Sequence, residues 1–267
     1  MLSTKSLLLS FALVGVTSAF VAPKAPTFGT TRFPVSSTSL DAYKKVFVAG
    51  GTRGVGRCIV DQLLGQGSEV VALVRSEDAL KELNAIEGVT AIRGDAFEQK
   101  AVENAMDGCD AAITTLGGAT SDGGKRVDYD GNSNVIESAG ILGVTRVILV
   151  TSVGCGSSKE AAPPNVFEAL KEVLTAKEKA ENVLIKYYTN MNWTIIRPGG
   201  LKSEPATGKA ILTEDTRAIG TIHREDVAAL AIKALNSSNT ERKVLTAIDP
   251  SIDSAVSDGK QVEAFAV

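Results

Sequence analysis

Four glycines follow a short apolar run near residue 50, within the segment VFVAGGTRGVGRCIV at positions 46–60. The apolar run at 46–49 predicts a buried strand, and helical periodicity begins at Arg57. Glycines let a backbone approach a phosphate without an intervening Cβ, and the first turn of a helix offers unpaired N–H groups to an anion. This order of strand, glycine turn and helix predicts a site for the pyrophosphate of a dinucleotide. The alternative is a structural turn that binds no ligand.

The glycine spacing, G-x-x-x-G-x-G, resembles the short-chain dehydrogenase/reductase signature more than the G-x-G-x-x-G of other dinucleotide-binding folds. Seven consecutive residues of the loop are therefore expected to contact the cofactor. They are Gly50, Gly51, Thr52, Arg53, Gly54, Val55 and Gly56.

Two arginines indicate which dinucleotide binds. Residues 69–74 (EVVALV) predict a second buried strand, which ends at Arg75. In a dinucleotide-binding fold this strand end faces the adenosine ribose, where an acidic residue suits NAD and an arginine suits the 2′-phosphate of NADP. Arg75 therefore indicates NADP(H), and Arg53 can form a second clamp on the same phosphate. The alternative for both is a solvated surface side chain.

The ends of later strands supply further candidates. The third strand, at 89–93, leads to Asp95, which can accept a hydrogen bond from the adenine amino group, cap the next helix, or do both. In an open parallel sheet, ligands bind in the crevice at the carboxyl ends of the strands. Residues after three of these strands are therefore expected at the cofactor: Asp95 and Ala96, Leu116 and Gly117, and Ser152.

Apolar runs of strand length alternate with helical patterns along most of the chain. The predicted strands are 46–49, 69–74, 89–93, 111–115, 146–150, 193–197 and 243–247. The predicted helices begin at 57 and span 77–86, 101–106, 127–142, 167–188 and 226–235. This alternation predicts an α/β domain with a doubly wound, mostly parallel sheet of the Rossmann type over residues 43–250. Residues 251–267 have weak periodicity and are expected to form a flexible tail.

Composition excludes some classes of function. The 267 residues carry a formal net charge of −3 and a pI near 5.4, which argues against a nucleic-acid-binding protein. The three cysteines have no metal-ligand spacing, so we expect no metal site and free thiols in a reducing compartment.

The first 42 residues differ from the rest. Residues 1–19 contain an apolar run too short to span a membrane and small residues at a cleavage position, as in a signal peptide. Residues 20–42 have the composition of a transit peptide. The junction SAFVAP resembles the bipartite leaders of algae with secondary plastids, which implies import into the plastid stroma. The alternative is a secreted protein, and no transmembrane segment is expected in the mature chain.

Seven motifs resemble the atypical short-chain dehydrogenase/reductases with an NAD(P)-binding, NmrA-like domain, including plastid members. They are GGTRGVGR, LVR, GD, VDYDGN, VILVTSVG, AKEKAE and TIIRPGGL, and the likeness spans residues 45–249. The resemblance implies that the glycine loop binds pyrophosphate, Arg75 selects NADP, and Ser152 lines the nicotinamide pocket. It also implies that the turn Pro198, Gly199 and Gly200 lies beside the nicotinamide carboxamide.

The chain departs from the family at one position. Standard members carry Tyr-x-x-x-Lys, in which the phenol exchanges a proton with the substrate. Here the lysine would be Lys177, and Val173 stands where the tyrosine belongs. Lys177 falls on the apolar stripe of its helix, so it must find a partner. It can pair with Glu181 one turn on or, as the resemblance implies, bond the nicotinamide ribose.

Other candidates for proton transfer are weaker. Tyr129, Tyr187 and Tyr188 could replace the phenol only in principle, and His223, the single histidine, is expected to be structural.

Two functions remain open. The first is an NADP(H)-dependent oxidoreductase acting on a small plastid metabolite, with Ser152 and Lys177 as catalytic residues. The second is a non-catalytic NADP(H)-binding regulator or assembly factor that contacts a plastid protein complex. A nucleotide-sugar epimerase fits less well, because such enzymes keep the tyrosine and carry a larger C-terminal domain.

Overall fold

The computed structural model describes residues 43–118, 124–252, 256–257 and 260–267, without the side chains of 256, 257 and 260. The predicted leader segments 1–19 and 20–42 therefore lie outside the described residues. Residues 119–123 lie outside them as well.

The described residues form twelve strands and six α-helices. The strands are β1 (Lys45–Ala49), β2 (Glu69–Val74), β3 (Val89–Arg93), β4 (Ala111–Thr114), β5 (Arg146–Val150), β6 (Asn192–Pro198), β7 (Gly200–Lys202), β8 (Ile211–Thr213), β9 (Thr221–His223), β10 (Lys243–Ile248), β11 (Val256–Ser257) and β12 (Lys260–Gln261). The helices are α1 (Gly54–Gly65), α2 (Glu77–Asn84), α3 (Gln99–Met106), α4 (Asn132–Leu142), α5 (Pro164–Tyr187) and α6 (Arg224–Leu235). A π-helical turn at Val127–Gly131 leads into α4.

Eight strands form the central sheet, in the order β3-β2-β1-β4-β5-β6-β10-β8. Every neighbouring pair is parallel except β10 and β8. Strands β2 and β3 lie on one side of β1, and β4 and the later strands of the sheet lie on the other. This reversal of strand order leaves a crevice at the carboxyl ends of β1 and β4. The predicted fold class, a doubly wound and mostly parallel sheet, is confirmed.

Alternate residues of each strand face opposite helical layers. On β2, Val70 belongs to the cluster that packs α1 and α6, whereas Val71 belongs to the cluster that packs α3, α4 and α5. Both faces of the sheet are covered, and this explains why its strands read as continuous apolar runs.

A buried arginine joins the sheet to the end of α6. The Arg146 side chain is almost fully buried and donates to Leu235 O at 3.0 Å and to Asn192 O at 2.6 Å. Burial lowers the pKa of this guanidinium. Arg146 fits here because helix-terminal carbonyls, which lack intrahelical donors, accept its hydrogen bonds.

The structure adds details to the sequence predictions, and α1 begins at Gly54 rather than at Arg57. The short strands were not predicted, because two or three residues are too few to show a period; they are β7, β8, β9, β11 and β12. α6 begins at Arg224 rather than at Asp226, whose carboxylate accepts hydrogen bonds from the N–H groups of Thr207 and Gly208 instead of capping the helix. The end of the tail contacts the sheet, since Phe265 N–H donates to Leu212 O at 2.7 Å. Within the described residues, no helix is both long and apolar enough to cross a bilayer.

Candidate functional site

A cleft of about 430 Å³ lies at the carboxyl ends of the central strands. Its lining residues come from the glycine loop, from the ends of β2 to β6, from the π-helical turn, from α5, from β7 and from the start of α6. They are Gly50, Thr52, Arg53, Gly54, Val55, Gly56, Leu73, Val74, Arg75, Gly94, Asp95, Ala96, Thr115, Leu116, Gly117, Val127, Val150, Thr151, Ser152, Leu170, Val173, Leu174, Lys177, Pro198, Leu201 and Arg224. The cleft therefore lies at the point where the strand order reverses, which is where this fold binds ligands.

Two glycines of the loop are required for different reasons. A Cβ at Gly56 would lie 2.1 Å from Gly50 O, so only glycine lets α1 pack against the end of β1. Gly54 has a φ of +57°, and a Cβ there would meet only the Arg224 side chain, at 3.7 Å. Gly54 is the first residue of α1, and no side chain caps this helix. The loop thus presents a bare backbone and free helical N–H groups, which fit a phosphate.

Three of the expected cofactor contacts do not line the cleft. A Cβ at Gly51 would point at Val60 Cγ2, 3.0 Å away in the core behind the loop. A Cβ at Gly199 would lie 2.2 Å from Gly220 O, and one at Gly200 would meet Thr221. Gly199 therefore allows close packing of the backbone, whereas Gly51 and Gly200 leave room for neighbouring side chains.

Arg53 and Arg75 are exposed on the rim of the cleft. Within the described residues, neither guanidinium has a hydrogen bond or an ion pair. Ser76, next to Arg75, accepts a hydrogen bond from Ala79 N–H at 3.2 Å and caps α2. The capped helix fixes the end of β2, so Arg75 stays at the cleft with its donors available to a ligand.

Asp95 does not cap α3, whose N-cap residue is Glu98 and has no side-chain cap. Asp95 Oδ1 accepts a hydrogen bond from Phe97 N–H at 3.0 Å and so closes the turn before α3. The residue is half-buried and lines the cleft beside Ala96. Oδ2 has no partner among the described residues and is available to an adenine amino group.

Lys177 does not pair with Glu181, so that alternative was wrong. Its Nζ lies 3.1 Å from Asp128 Oδ1, outside hydrogen-bond alignment, and donates to Leu116 O at 3.2 Å. Asp128 is fully buried, whereas the Lys177 side chain is 12% exposed and lines the cleft. The buried carboxylate therefore holds a cation at the cleft wall. A Cβ at Gly117 would lie 3.2 Å from this Nζ, so a larger residue at position 117 would crowd the ammonium of Lys177.

Glu181 lies one turn after Lys177 on α5, where the apolar stripe of the helix faces β6. It pairs with Arg197 instead. The two side chains are buried and bidentate, at 2.7 Å for Nη2 to Oε2 and 3.0 Å for Nε to Oε1. Thr151 Oγ1 donates to Glu181 Oε1 at 2.6 Å. This network ties the residue before Ser152 to α5 and thereby positions the Ser152 loop.

The cleft contains Ser152 but no phenol. The Ser152 hydroxyl donates to Val153 O at 3.0 Å, and Val173 lines the cleft one turn before Lys177. All four tyrosines of the chain are described, and none of them lines the cleft. Tyr187, for example, is 75% exposed, and the ring of Tyr188 packs over Gly140. His223 is buried behind the site, with Nε2 3.5 Å from Glu204 Oε2, as expected of a structural residue.

Sequence reasoning missed Asp128 and Arg224. Asp128 stands in the motif VDYDGN, but its position relative to Lys177 depends on the π-helical turn, which the apolar pattern does not reveal. Arg224 stands before the last helix, far along the chain from the glycine loop it contacts.

The chain is similar to several known proteins. A family model described as NAD(P)H-binding matches residues 50–238. The Bacillus subtilis protein named uncharacterized sugar epimerase YhfK is 33% identical over 203 residues, covering 74% of this chain and 91% of its own. The Arabidopsis thaliana chloroplastic protein At2g34460 is 35% identical over 213 residues, covering 76% of this chain and 75% of its own. The solved structure of ChuY, an anaerobillin reductase from Escherichia coli O157:H7, matches with a TM-score of 0.72 and 31% sequence identity. The match covers 79% of this chain and 100% of ChuY.

Two more distant relatives have names that refer to the chloroplast or to photosystem II. The chloroplastic protein TIC 62 of Pisum sativum is 29% identical over 230 residues, and the match spans 76% of this chain but only 42% of TIC 62. The photosystem II assembly factor Ycf39 of Synechocystis is 27% identical over 213 residues, covering 74% of this chain and 60% of its own.

Proposed function

Since the chain belongs to the NAD(P)H-binding family of atypical short-chain dehydrogenase/reductases, we propose that it is an NADP(H)-dependent oxidoreductase that acts on a small plastid metabolite. One observation carries the proposal. A glycine loop with an open Gly54, an arginine without a carboxylate partner at the end of β2, and the pair Ser152 and Lys177 all line one cleft.

The residues present fit a dinucleotide. The backbone at Gly54 and Val55 would hold the pyrophosphate, Arg75 and Arg53 the 2′-phosphate, and Asp95 the adenine. When bound, the nicotinamide supplies a hydride to the substrate or accepts one from it.

Two polar side chains remain to orient the reacting groups. Lys177, held by Asp128 and by Leu116 O, offers an ammonium at the cleft wall for the ribose hydroxyls. Ser152 offers a hydroxyl to a substrate oxygen. With Val173 in place of a phenol, the proton must come from water or from the substrate itself.

The wall beyond Ser152 favours an apolar substrate. Leu170 and Leu201 line the cleft and are 44% and 42% exposed, and Val173 lies on the same wall. Exposed leucines in a ligand cleft would be covered by a bound apolar group. We therefore include quinones, flavins and plastid carbonyl or enone compounds among the candidate substrates.

A plastid location agrees with the leader-like residues 1–42 and with the chloroplastic relatives. The stroma of an alga with a secondary plastid is the compartment we propose. The junction SAFVAP is the feature that supports it.

A second candidate is a non-catalytic NADP(H)-binding regulator or assembly factor. The observation that favours it is the cleft wall at Val173, which has no phenol near Lys177. The names of TIC 62 and Ycf39 point the same way, since neither describes a reaction.

One experiment separates these candidates. The protein is titrated with NADPH and with NADH by calorimetry, and the oxidation of bound NADPH is then followed against the substrate panel. We expect tight NADPH binding and turnover of at least one apolar acceptor. Tight binding without any turnover would favour the regulator, and no binding would reduce the glycine loop to a structural turn.

A further inference from the structure

Arg224 contacts the glycine loop from a distant part of the chain. It is the first residue of α6, immediately after β9, and its side chain lines the cleft. Its Cδ and Nε each lie 3.7 Å from the position that a Cβ would occupy at Gly54. The guanidinium stem therefore lies beside the first N–H groups of α1, where a phosphate would bind.

The charge of Arg224 has no carboxylate partner among the described residues. Its Nη1 donates to the hydroxyl of Ser203 at 2.6 Å, which is a neutral acceptor. Four arginines elsewhere in the described chain do pair with carboxylates: Arg57, Arg93, Arg126 and Arg197. Arg53, Arg75 and Arg224, which line the cleft, have no carboxylate partner among the described residues, so their charges are available to an anionic ligand.

We propose that Arg224 binds the pyrophosphate of the dinucleotide. It would close the pyrophosphate site from the side of the cleft where α6 begins. A guanidinium matches two phosphate oxygens with parallel N–H donors, and the cleft partly shields it from water. The pyrophosphate is common to NADPH and NADH, so Arg224 would contribute equally to both. This inference rests on the proposed function, and it separates Arg224 from Arg75, whose role is to select the 2′-phosphate.

The same contact would couple the cofactor to the segment after β7. Ser203 accepts a hydrogen bond from Arg224, and the N–H groups of Ala206 and Thr207 donate to Glu225 and Asp226 in the first turn of α6. A bound pyrophosphate that fixes Arg224 would therefore also fix residues 203–208. Cofactor binding should slow amide hydrogen exchange in that segment.

The test compares Arg224→Gln, Arg224→Lys and Arg75→Gln with wild type in the full chain. Each is titrated with NADPH, with NADH and with 2′-AMP, which has the 2′-phosphate but no pyrophosphate. Arg224→Gln should weaken NADPH and NADH alike, by about tenfold or more, as expected for the loss of a charge-assisted hydrogen bond. Its affinity for 2′-AMP should not change. Arg75→Gln should weaken NADPH and 2′-AMP and leave NADH unchanged.

Two controls keep the result specific. Arg93→Gln removes an exposed arginine that pairs with Glu77 outside the cleft, and it should bind all three ligands as wild type does. Arg224→Lys keeps the charge without the fork and should show an intermediate loss, which also covers the case in which Arg224→Gln folds poorly. NADPH should slow exchange at residues 203–208 in wild type but not in Arg224→Gln.

Two results would overturn the inference on different grounds. Wild-type binding of NADPH with an unchanged affinity in Arg224→Gln, or a loss confined to NADPH and 2′-AMP, would refute the role of Arg224 and leave the proposed function intact. Failure of the wild type to bind either dinucleotide would refute the proposed function and this inference with it.

Discussion

At the scale of single residues, Lys177 is held at the cleft wall by two unequal partners. Its ammonium lies between a fully buried carboxylate and the cleft, and its second partner is a backbone carbonyl. A buried charge that loses its partner is costly, whereas the cleft side of the pair can reach water. The two halves of the pair are therefore not equivalent.

This asymmetry gives a prediction. Lys177→Met leaves the charge of Asp128 buried without its cation and should lower the free energy of unfolding by about 3 kcal/mol. Asp128→Asn leaves a lysine that can turn toward the cleft, so its cost should be smaller, about 1 kcal/mol. The double variant should recover part of the loss. Urea titrations of all four proteins measure the coupling, and strictly additive losses would contradict a buried ion pair.

At the scale of elements, the junction of β1 and α1 combines a packing requirement with a binding requirement. Gly56 meets the carbonyl of Gly50, and Gly54 faces the cleft. One glycine thus belongs to the fold and the other to the site. Substitution by alanine separates the two roles.

We expect Gly56→Ala to destabilise the protein by about 3 kcal/mol, because its Cβ would overlap backbone. Gly54→Ala should cost about 1 kcal/mol for its left-handed conformation and should lose NADPH affinity at the open face of the loop. Gly65→Ala, at the far end of α1 with nothing within 4 Å of its Cβ, is the control; it should bind NADPH as wild type does and be at least as stable. Thermal melts and NADPH titrations test the assignment, which fails if Gly54→Ala binds normally.

The sequence predicts these elements well because β-branched apolar runs mark buried strands. β2, β3 and β5 have the predicted bounds, and the glycine loop lies where the pattern requires it. β8 and the contact of Phe265 with Leu212 depend on tertiary packing and leave no periodic signal.

The site was predictable to a similar extent. Strand ends converge in any parallel sheet, so Asp95, Leu116 and Ser152 could be assigned to the cleft from sequence. The partner of Lys177 could not, because α5 carries Glu181 at helical spacing while the fold brings Asp128 closer. Predicting that Arg224 lies at the cleft would have required knowing that β10 pairs with β6 and where α6 lies. Local sequence patterns do not contain this information.

At the scale of the whole molecule, Asp249 joins the segment after β7 to the end of β10. Its side chain accepts hydrogen bonds from Ser251 and from the hydroxyl of Thr207. Burial alone would raise the pKa of Asp249, but these hydrogen bonds outweigh it and lower the pKa below the ordinary value. The ionised form is therefore the one that stabilises the fold.

The sign of the resulting pH dependence follows from that shift. Because the pKa of Asp249 is lower in the folded than in the unfolded protein, its contribution is full above the ordinary carboxyl pKa and is lost as pH falls below about 4. Asp249→Asn should thus be less stable than wild type at pH 7, and the difference should narrow in acid. Denaturant titrations from pH 7 to pH 3 measure it. A difference that widens toward low pH would contradict this role.

We propose that the cleft binds NADP(H) at the glycine loop, with Arg75 on the 2′-phosphate. The most direct measurement is the ratio of NADPH to NADH affinity in wild type and in Arg75→Ala, with Arg93→Ala as a surface control. We predict that wild type and Arg93→Ala prefer NADPH, and that Arg75→Ala loses NADPH affinity by about tenfold or more while NADH is unchanged. Equal losses for both dinucleotides in Arg75→Ala would contradict the claim.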